Sequence, residues 1–378
     1  MRIGIDVRPF LKEETGVGVY LKNLLFSLSQ VDDQNEYYLF SASWKDRFPL
    51  SKVPPLLKKR FRHFRLPVTL INYGWYHWGW PPFDFFFGRK MDIVHSPTPI
   101  VIPTFGQKII TIYDLFFLRE PKLADKTAGQ FFRKRLKKSV DEAQAIITIS
   151  RSSAQEILSF FPEAEKKVRV IYLGIDADFW TLADKEKKAW SRFKQEQGLP
   201  AEYFLFVGAF EPRKNLPALI KAFHFLQQWG REEYLVLVGR QGKDFPQVIT
   251  LSNQLGLGKK VIIKDYTSPA HLRYYYHGAK ALIVPSLAEG FGLPLLEAMA
   301  SGLPIIASQA PAIPEVAGEA ALYFDPRQPE DIATKIEQFL EQPNLKKGLV
   351  RAGYQRVNSF TWLETARQTL KVYQELGP

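Results

Sequence analysis

Two glutamates, Glu289 and Glu297, stand eight positions apart in the stretch ALIVPSLAEGFGLPLLEAMASGLPIIAS. Carboxylates accept hydrogen bonds from a ligand, and Gly290 and Gly292 between them let backbone approach it closely. The apolar run Ala281 to Val284 reads as a buried strand, and a helix is predicted from about Leu293. Free amides at the start of such a helix favour a phosphate. Glu289 then sits in the loop and Glu297 one turn into the helix, where they can address two ends of one ligand. A second stretch, FLFVGAFEPRKNLPALIKAF, ends a strand at Gly208 and sets Arg213 and Lys214 before a helix, where cations can neutralise a diphosphate. Near the amino terminus, RPFLKEETGVGVYLKNLL places Gly16 and Gly18 between a strand and a helix; with no third glycine this is a weak dinucleotide fingerprint. Each feature has a plainer reading, since a lone glutamate in a turn or an Arg-Lys pair at a helix start is usually solvated.

The elements that must position these residues are short apolar strands alternating with amphipathic helices, the pattern of α/β layers around a mostly parallel sheet. In the first half the strands are Ile3 to Val7, Tyr37 to Phe40, Asp92 to His95, Lys108 to Ile112, Ala145 to Ile149 and Val168 to Tyr172, with helices at Tyr20 to Gln30 and Gly129 to Glu142. After Gly174 the chain turns polar through DKEKKAWSRFKQEQG, and a second series begins: Tyr203 to Val207, Tyr234 to Val238, Lys260 to Ile263, Ala281 to Val284, Pro304 to Ala307 and Ala321 to Phe324. Helices follow from Pro329, the last from about Thr361 to Gln374. Two doubly wound domains are expected, with the active site in the cleft between the carboxyl ends of their sheets.

The 378 residues suit two domains, and 46% hydrophobic with 14% aromatic residues describes a globular chain. With no cysteine, disulfides, thiolate metal ligands and a cysteine nucleophile are excluded. The formal charge is +12, of which residues 1–180 carry +8 from 27 Lys and Arg against 19 Asp and Glu, so an anionic partner surface is expected. No nucleic acid is expected among the partners, because zinc-finger spacing, an RNP-like sequence and a basic helix with heptads are all missing. A dinucleotide oxidoreductase would need a complete glycine fingerprint followed by an acidic residue, and neither half has one. No run of about 18 apolar residues occurs, and MRIGIDVRPF lacks the apolar segment of a signal peptide, so the expected location is cytoplasmic.

The string EGFGLPLLEAMASGLP, residues 289–304, resembles the signature of glycosyltransferase family 4, retaining enzymes of the GT-B fold with two Rossmann-like domains. The stretches LGIDADFW, PEVAGEAALYFDP and SFTWLETARQTLKVY are also similar to that family, so the resemblance covers nearly the whole chain. It implies an acceptor domain over 1–176, a nucleotide-sugar donor domain over 177–360, and a last helix, about 361–378, that crosses back to the first domain. By the same resemblance Glu289 contacts the hexose, Glu297 the ribose, and the amides of Phe291, Gly292 and Leu293 the sugar and distal phosphate. Lys214 matches a family lysine that offsets the diphosphate charge; Arg213 stands in for an arginine that the family places where Ala209 is found here. Gly16 and Gly18 let the first domain close over the diphosphate, and backbone near Tyr266 contacts the base. Tyr113, before Asp114, replaces a family histidine that touches the sugar. The implied reaction is transfer of a hexose from a nucleotide diphosphate sugar, leaning to GDP-mannose through the mannosyltransferase branch of polysaccharide assembly, with no metal or other cofactor. A non-catalytic nucleotide-sugar binding protein is the alternative.

Two further features belong to the expectation. Asp176 and Asp178 in GIDADFW mimic a DxD metal motif, but their place in the family's linker sequence argues against a metal. Residues 45–65 hold eight Lys or Arg against one acidic residue, and YGWYHWGWPPFDFFF, residues 73–87, has nine aromatics in fifteen. That combination suits a peripheral chain on the anionic cytoplasmic face of a membrane with a glycan or lipid-linked acceptor, or equally an aromatic-lined acceptor groove or partly buried core.

Overall fold

The computed structural model describes residues 1–11, 15–121 and 126–378. The chain divides into two compact units: residues 1–174 with 361–378, and residues 175–360.

The first unit contains seven strands, β1 (Arg2–Asp6), β2 (Glu36–Ala42), β3 (Phe61–Phe64), β4 (Ile93–Ser96), β5 (Gln107–Ile112), β6 (Ala145–Thr148) and β7 (Val168–Val170). All pair in parallel, in the order β3-β2-β1-β4-β5-β6-β7. The second unit holds β8 (Phe204–Val207), β9 (Leu235–Val238), β10 (Val261–Lys264), β11 (Ala281–Val284), β12 (Ile305–Ser308) and β13 (Ala321–Phe324). They too are parallel, ordered β10-β9-β8-β11-β12-β13. Strands such as β4, β6, β9, β11 and β12 are buried at every position, because helices cover both faces of a parallel sheet. That is why β9 and β11 stand out in the sequence as unbroken apolar runs.

Strand β3 is the one that pattern does not reveal. It lies in the basic run KKRFRHFR and pairs with β2 from Leu39↔Phe61 to Ala42↔Phe64. Short, charged edge strands resist further pairing, and their polar residues hide the strand period. Phe61 packs on Phe48 at 4.8 Å and Phe64 on Phe40 at 5.6 Å, while the Arg62 guanidinium donates to the Phe86 carbonyl at 3.1 Å. The aromatic stretch behind it divides. Trp75, Phe83, Phe86 and Phe87 join a core around Phe40, whereas Tyr73, Trp78, Trp80 and Phe85 are exposed. Among the described residues no helix is long and apolar enough to cross a membrane.

Helix Trp362–Leu376 belongs to the first unit and packs along helix Gly16–Val31. Thr361 caps it, accepting from the Glu364 amide, and the Thr365 hydroxyl donates to the Tyr172 carbonyl at 2.7 Å. Deeper in, His95 of β4 is fully buried with Nδ1 2.7 Å from the Tyr373 hydroxyl and Nε2 2.8 Å from the Thr111 hydroxyl. Burial pushes its pKa down to about 3, so the neutral ring ties the last helix to the sheet. Where this helix begins, a Cβ on Gly174 would lie 2.2 Å from the Trp362 backbone nitrogen. We expect Gly174→Ala to cost about 1–3 kcal/mol, as overpacking against unyielding backbone does. Thermal unfolding of the full chain checks this; an unchanged midpoint would refute the tight contact.

Candidate active site

In an open parallel sheet the strand order reverses once, and the crevice beyond the carboxyl ends at that reversal is where ligands bind. In the second unit the reversal falls between β8 and β11. The loops leaving those two strands carry Arg213 with Lys214, and Glu289. In the first unit it falls between β1 and β4, and β1 feeds the connection that opens helix Gly16–Val31.

The two loops of the second unit meet in a buried ion cluster. Glu289 Oε1 accepts from Lys214 Nζ at 2.5 Å and from the Ser286 hydroxyl at 2.7 Å, and Oε2 accepts from Arg213 Nη1 at 3.0 Å. The side chains of Lys214 and Glu289 are only 9% and 7% exposed, and that of Arg213 is 32% exposed. Burial alone would raise the Glu289 pKa. The charges of Lys214 and Arg213 and the hydrogen bonds from Lys214 and Ser286 overcome it and bring the pKa down to about 2. Backbone reinforces the junction, for the Leu287 amide donates to the Arg213 carbonyl at 2.8 Å.

Glu297 is placed differently. It lies on helix Leu293–Ala300, half-buried, and its Oε2 accepts the Tyr276 hydroxyl at 2.6 Å. Desolvation outweighs that hydrogen bond and raises its pKa to about 7. Gly292 opens the helix at φ +96°, a left-handed conformation that favours glycine. Phe291 before it is buried, with its ring edge-on to Phe360 at 5.8 Å. Leu293 is the first helical residue. Tyr266 follows β10, is 42% exposed, and carries the Arg240 guanidinium 4.7 Å from its ring centre. The site residues of the second unit thus line the carboxyl edge of one sheet.

Gly16, Gly18, Tyr113 and Asp114 belong to the first unit. The glycines are not between strand and helix, as the sequence suggested, but inside the helix's first turn. Thr15 caps the helix, its hydroxyl accepting from the Gly18 amide at 3.2 Å, which starts the helix earlier than its apolar periodicity does. Most of the LKEET connection lies outside the described residues. Tyr113 follows β5, and its ring meets Tyr20 of that helix edge-on at 5.7 Å. Its hydroxyl donates to the Pro97 carbonyl at 3.1 Å, and burial together with Tyr20 holds its pKa well above the usual phenol value. Asp114 Oδ1 accepts from the Phe116 amide at 3.3 Å. Asp176, by contrast, caps a short helix through the Phe179 amide at 3.2 Å, and Asp178 is exposed. Among the described residues no group of three or more His, Asp or Glu is arranged to hold a metal ion.

Three supporting residues escaped the sequence reading. Asn215, at φ +57°, donates from Nδ2 to the carbonyls of Pro285 at 3.2 Å and Pro326 at 2.7 Å, bracing the loops after β8, β11 and β13 together. Asparagine tolerates that conformation, so its place directly after Lys214 was a usable signal. Glu156 accepts from the Leu115 amide at 2.8 Å and lies 3.4 Å from Arg119, steadying the turn that carries Tyr113 and Asp114. Arg8 forks onto Asp6 at 2.8 Å and stacks 4.5 Å from the Trp75 ring centre, fixing the exit from β1. Neither has a local sequence signature, because each partner is defined by the fold.

Comparison with known proteins accounts for this arrangement. Residues 187–356 match the model of glycosyl transferases group 1, and residues 15–179 that of Glycosyltransferase Family 4. The O-antigen chain mannosyltransferase B of Escherichia coli is 28% identical over the whole of both chains. The O-antigen chain mannosyltransferase RfbU of Salmonella typhimurium is 27% identical over 88% of this chain and 89% of its own. Among solved structures, sucrose-phosphate synthase from Thermosynechococcus elongatus superposes with a TM-score of 0.75 at 19% identity, covering 99% of this chain and 98% of that one. With both halves matched and both sheets wound as the GT-B fold requires, the chain belongs to the glycosyltransferases, a hexosyltransferase with a family 4 amino-terminal domain and a group 1 carboxyl-terminal domain.

Proposed function

We propose that the chain transfers a hexose, with retention of configuration, from a nucleotide diphosphate sugar to a glycan or lipid-linked acceptor in polysaccharide or glycolipid synthesis. The observation that carries this reading is the cluster of Lys214, Arg213 and Ser286 around Glu289. A diphosphate brings at least two negative charges to the cations that hold Glu289. On binding, Lys214 and Arg213 turn toward the diphosphate, and Glu289 is released to accept from hexose hydroxyls. The amino end of helix Leu293–Ala300 faces the same charge through the amides of Phe291, Gly292 and Leu293. As the glycosidic bond breaks, these fixed donors stabilise the leaving diphosphate, whose oxygen takes the acceptor's proton on the same face. No metal is required in this scheme. Glu297 binds the ribose hydroxyls, Tyr266 flanks the base, and Gly16 and Gly18 with Tyr113 and Asp114 serve the donor from the first unit. The two named relatives are mannosyltransferases of O-antigen chains, which favours mannose and hence GDP-mannose. Contact with an anionic membrane surface, on its cytoplasmic face, is supported by exposed Leu70, Tyr73, Trp78 and Phe85 in a basic half-chain.

A panel of nucleotide sugars with a neutral glycan acceptor tests the reading, product anomers being followed by NMR. Transfer is expected from at least one donor, GDP-mannose first; donor binding without any product would overturn it. Glu289→Ala and Lys214→Ala are each expected to abolish transfer, while Asp178→Ala retains it. Full activity in either of the first two would remove the assignment.

Protonation gives a second check. The Glu297 pKa of about 7 lies above the ordinary carboxylate value, so nucleotide diphosphate binding as a carboxylate should strengthen as pH rises through about 7. The unliganded fold should lose stability as pH climbs from the ordinary carboxylate range to about 7, because the unfolded chain gives up that proton first. Titration calorimetry and thermal unfolding of Glu297→Gln should show both pH dependences flattened; unchanged slopes would refute the link to Glu297.

Anionic liposomes should float the chain at low salt and release it at high salt. Absence of flotation at low salt would rule out the membrane contact.

A further inference from the structure

On the first unit lies a pocket of about 260 Å³ that the donor site does not use. Its position is set by β5 and helix Lys126–Glu142, for Lys108 stands at the start of the strand and Glu142 at the end of the helix. Tyr113 and Asp114 follow the opposite end of the same strand. Lys108 and Glu142 thus place the charged wall of the pocket at the amino end of β5, opposite the end that carries Tyr113 and Asp114.

Its lining has two kinds of chemistry. Trp80 and Phe105 contribute aromatic surface and are 56% and 68% exposed. Facing groups form a charged wall: Glu142 lies 2.7 Å from Lys108 Nζ and 3.7 Å from Lys138 Nζ. Arg135 also lines the pocket, but its guanidinium is drawn onto the rings of Phe131 at 4.3 Å and Tyr76 at 5.0 Å. Glu142 opposes an anionic headgroup or phosphate, and the lysines oppose a cation. A ligand suited to both must donate to the carboxylate and accept from the ammonium groups while laying an apolar face on an exposed ring. A neutral pyranose does all three, with hydroxyls around its rim and C–H groups on its face. The volume falls a little short of the roughly 300–1,000 Å³ typical of whole small-molecule sites, which suits one sugar of a longer chain better than a nucleotide.

We propose that this pocket is a second carbohydrate-binding subsite, holding a hexose of a neutral acceptor chain away from its reacting end. The inference rests on the glycan-acceptor reading above and deepens it. Such a subsite raises the effective concentration of an acceptor already attached, so long chains are preferred over short ones.

The test is binding to the full chain, without nucleotide, of linear neutral tetrasaccharides of mannose, glucose and galactose, read by tryptophan fluorescence and saturation-transfer NMR. At least one should bind saturably. Trp80→Ala and Lys138→Ala, both at exposed positions, should each weaken binding, the tryptophan change by about tenfold, the equivalent of one good ring contact. In transfer assays Trp80→Ala should raise KM for a tetrasaccharide acceptor and leave kcat and the KM of a monosaccharide acceptor unchanged. Failure of all three sugars to bind, or equal binding by Trp80→Ala, would overturn the subsite. So would a Trp80→Ala variant that loses only binding to anionic phosphatidylglycerol vesicles, because the surface would then be a membrane contact. The binding arm needs neither donor nor turnover, so failure of the proposed reaction leaves it readable.

Discussion

A buried carboxylate must be neutralised where it lies, and the second unit is arranged around that requirement at Glu289. Leaving an ion unpaired in a low-dielectric interior costs several kcal/mol, so a partner lost from such a pair is far more damaging than an exposed pair lost from the surface. Here the pairing spans two loops. Lys214 and Arg213 come from the exit of β8, while Ser286 and Glu289 come from the exit of β11. Asn215 extends the junction to the loop after β13, and the Leu287 amide closes it through backbone. One electrostatic knot thus holds the loops at the switch point before any substrate arrives.

The same motif holds a second glutamate in the opposite condition. Glu289, with two cations and a hydroxyl, is brought down to about 2, whereas Glu297, with only the Tyr276 hydroxyl, is raised to about 7. Environments that push two like groups apart assign them different work. A permanently ionised Glu289 suits competition with a diphosphate for the same cations. Glu297 is held near neutrality by its burial. Neither property follows from the spacing of the two residues, since both depend on which side chains the fold brings to each carboxylate.

That distinction marks what the sequence made legible. Fully buried parallel strands such as β9 and β11 are apolar throughout and could be placed to within a residue or so; the switch points then follow from strand order. The glycine-rich string around Glu289 identified the loop and helix because its residue types are demanded locally, above all by the left-handed Gly292 at the helix start. Strand β3 was hidden because an edge strand with Arg62 and His63 has no apolar period. The aromatic segment could not be divided into core and surface, because Phe83 and Phe85 differ only in whether Phe40 lies on their side. Tyr113 illustrates the same limit at the site. Its substitution for histidine was visible, but the donation of its hydroxyl to Pro97, which commits its proton within the first unit, was not.

The first unit depends on residues far away in the chain. His95 hydrogen-bonds Tyr373 across 278 positions, and Thr365 reaches Tyr172 across 193. Contacts of such separation carry a larger loop-closure cost than the local strand-helix pairings of either sheet. The second unit, by contrast, is one continuous segment, and the knot at Glu289 closes only some 75 positions. The second unit therefore draws its core and its ion cluster from a single stretch of chain. The first half acquires the polar tie that satisfies buried His95 only when helix Trp362–Leu376 docks on Gly16–Val31. Since Tyr20 of the Gly16–Val31 helix also touches Tyr113, the docking that completes the core also supports the edge on which the first unit's site residues stand.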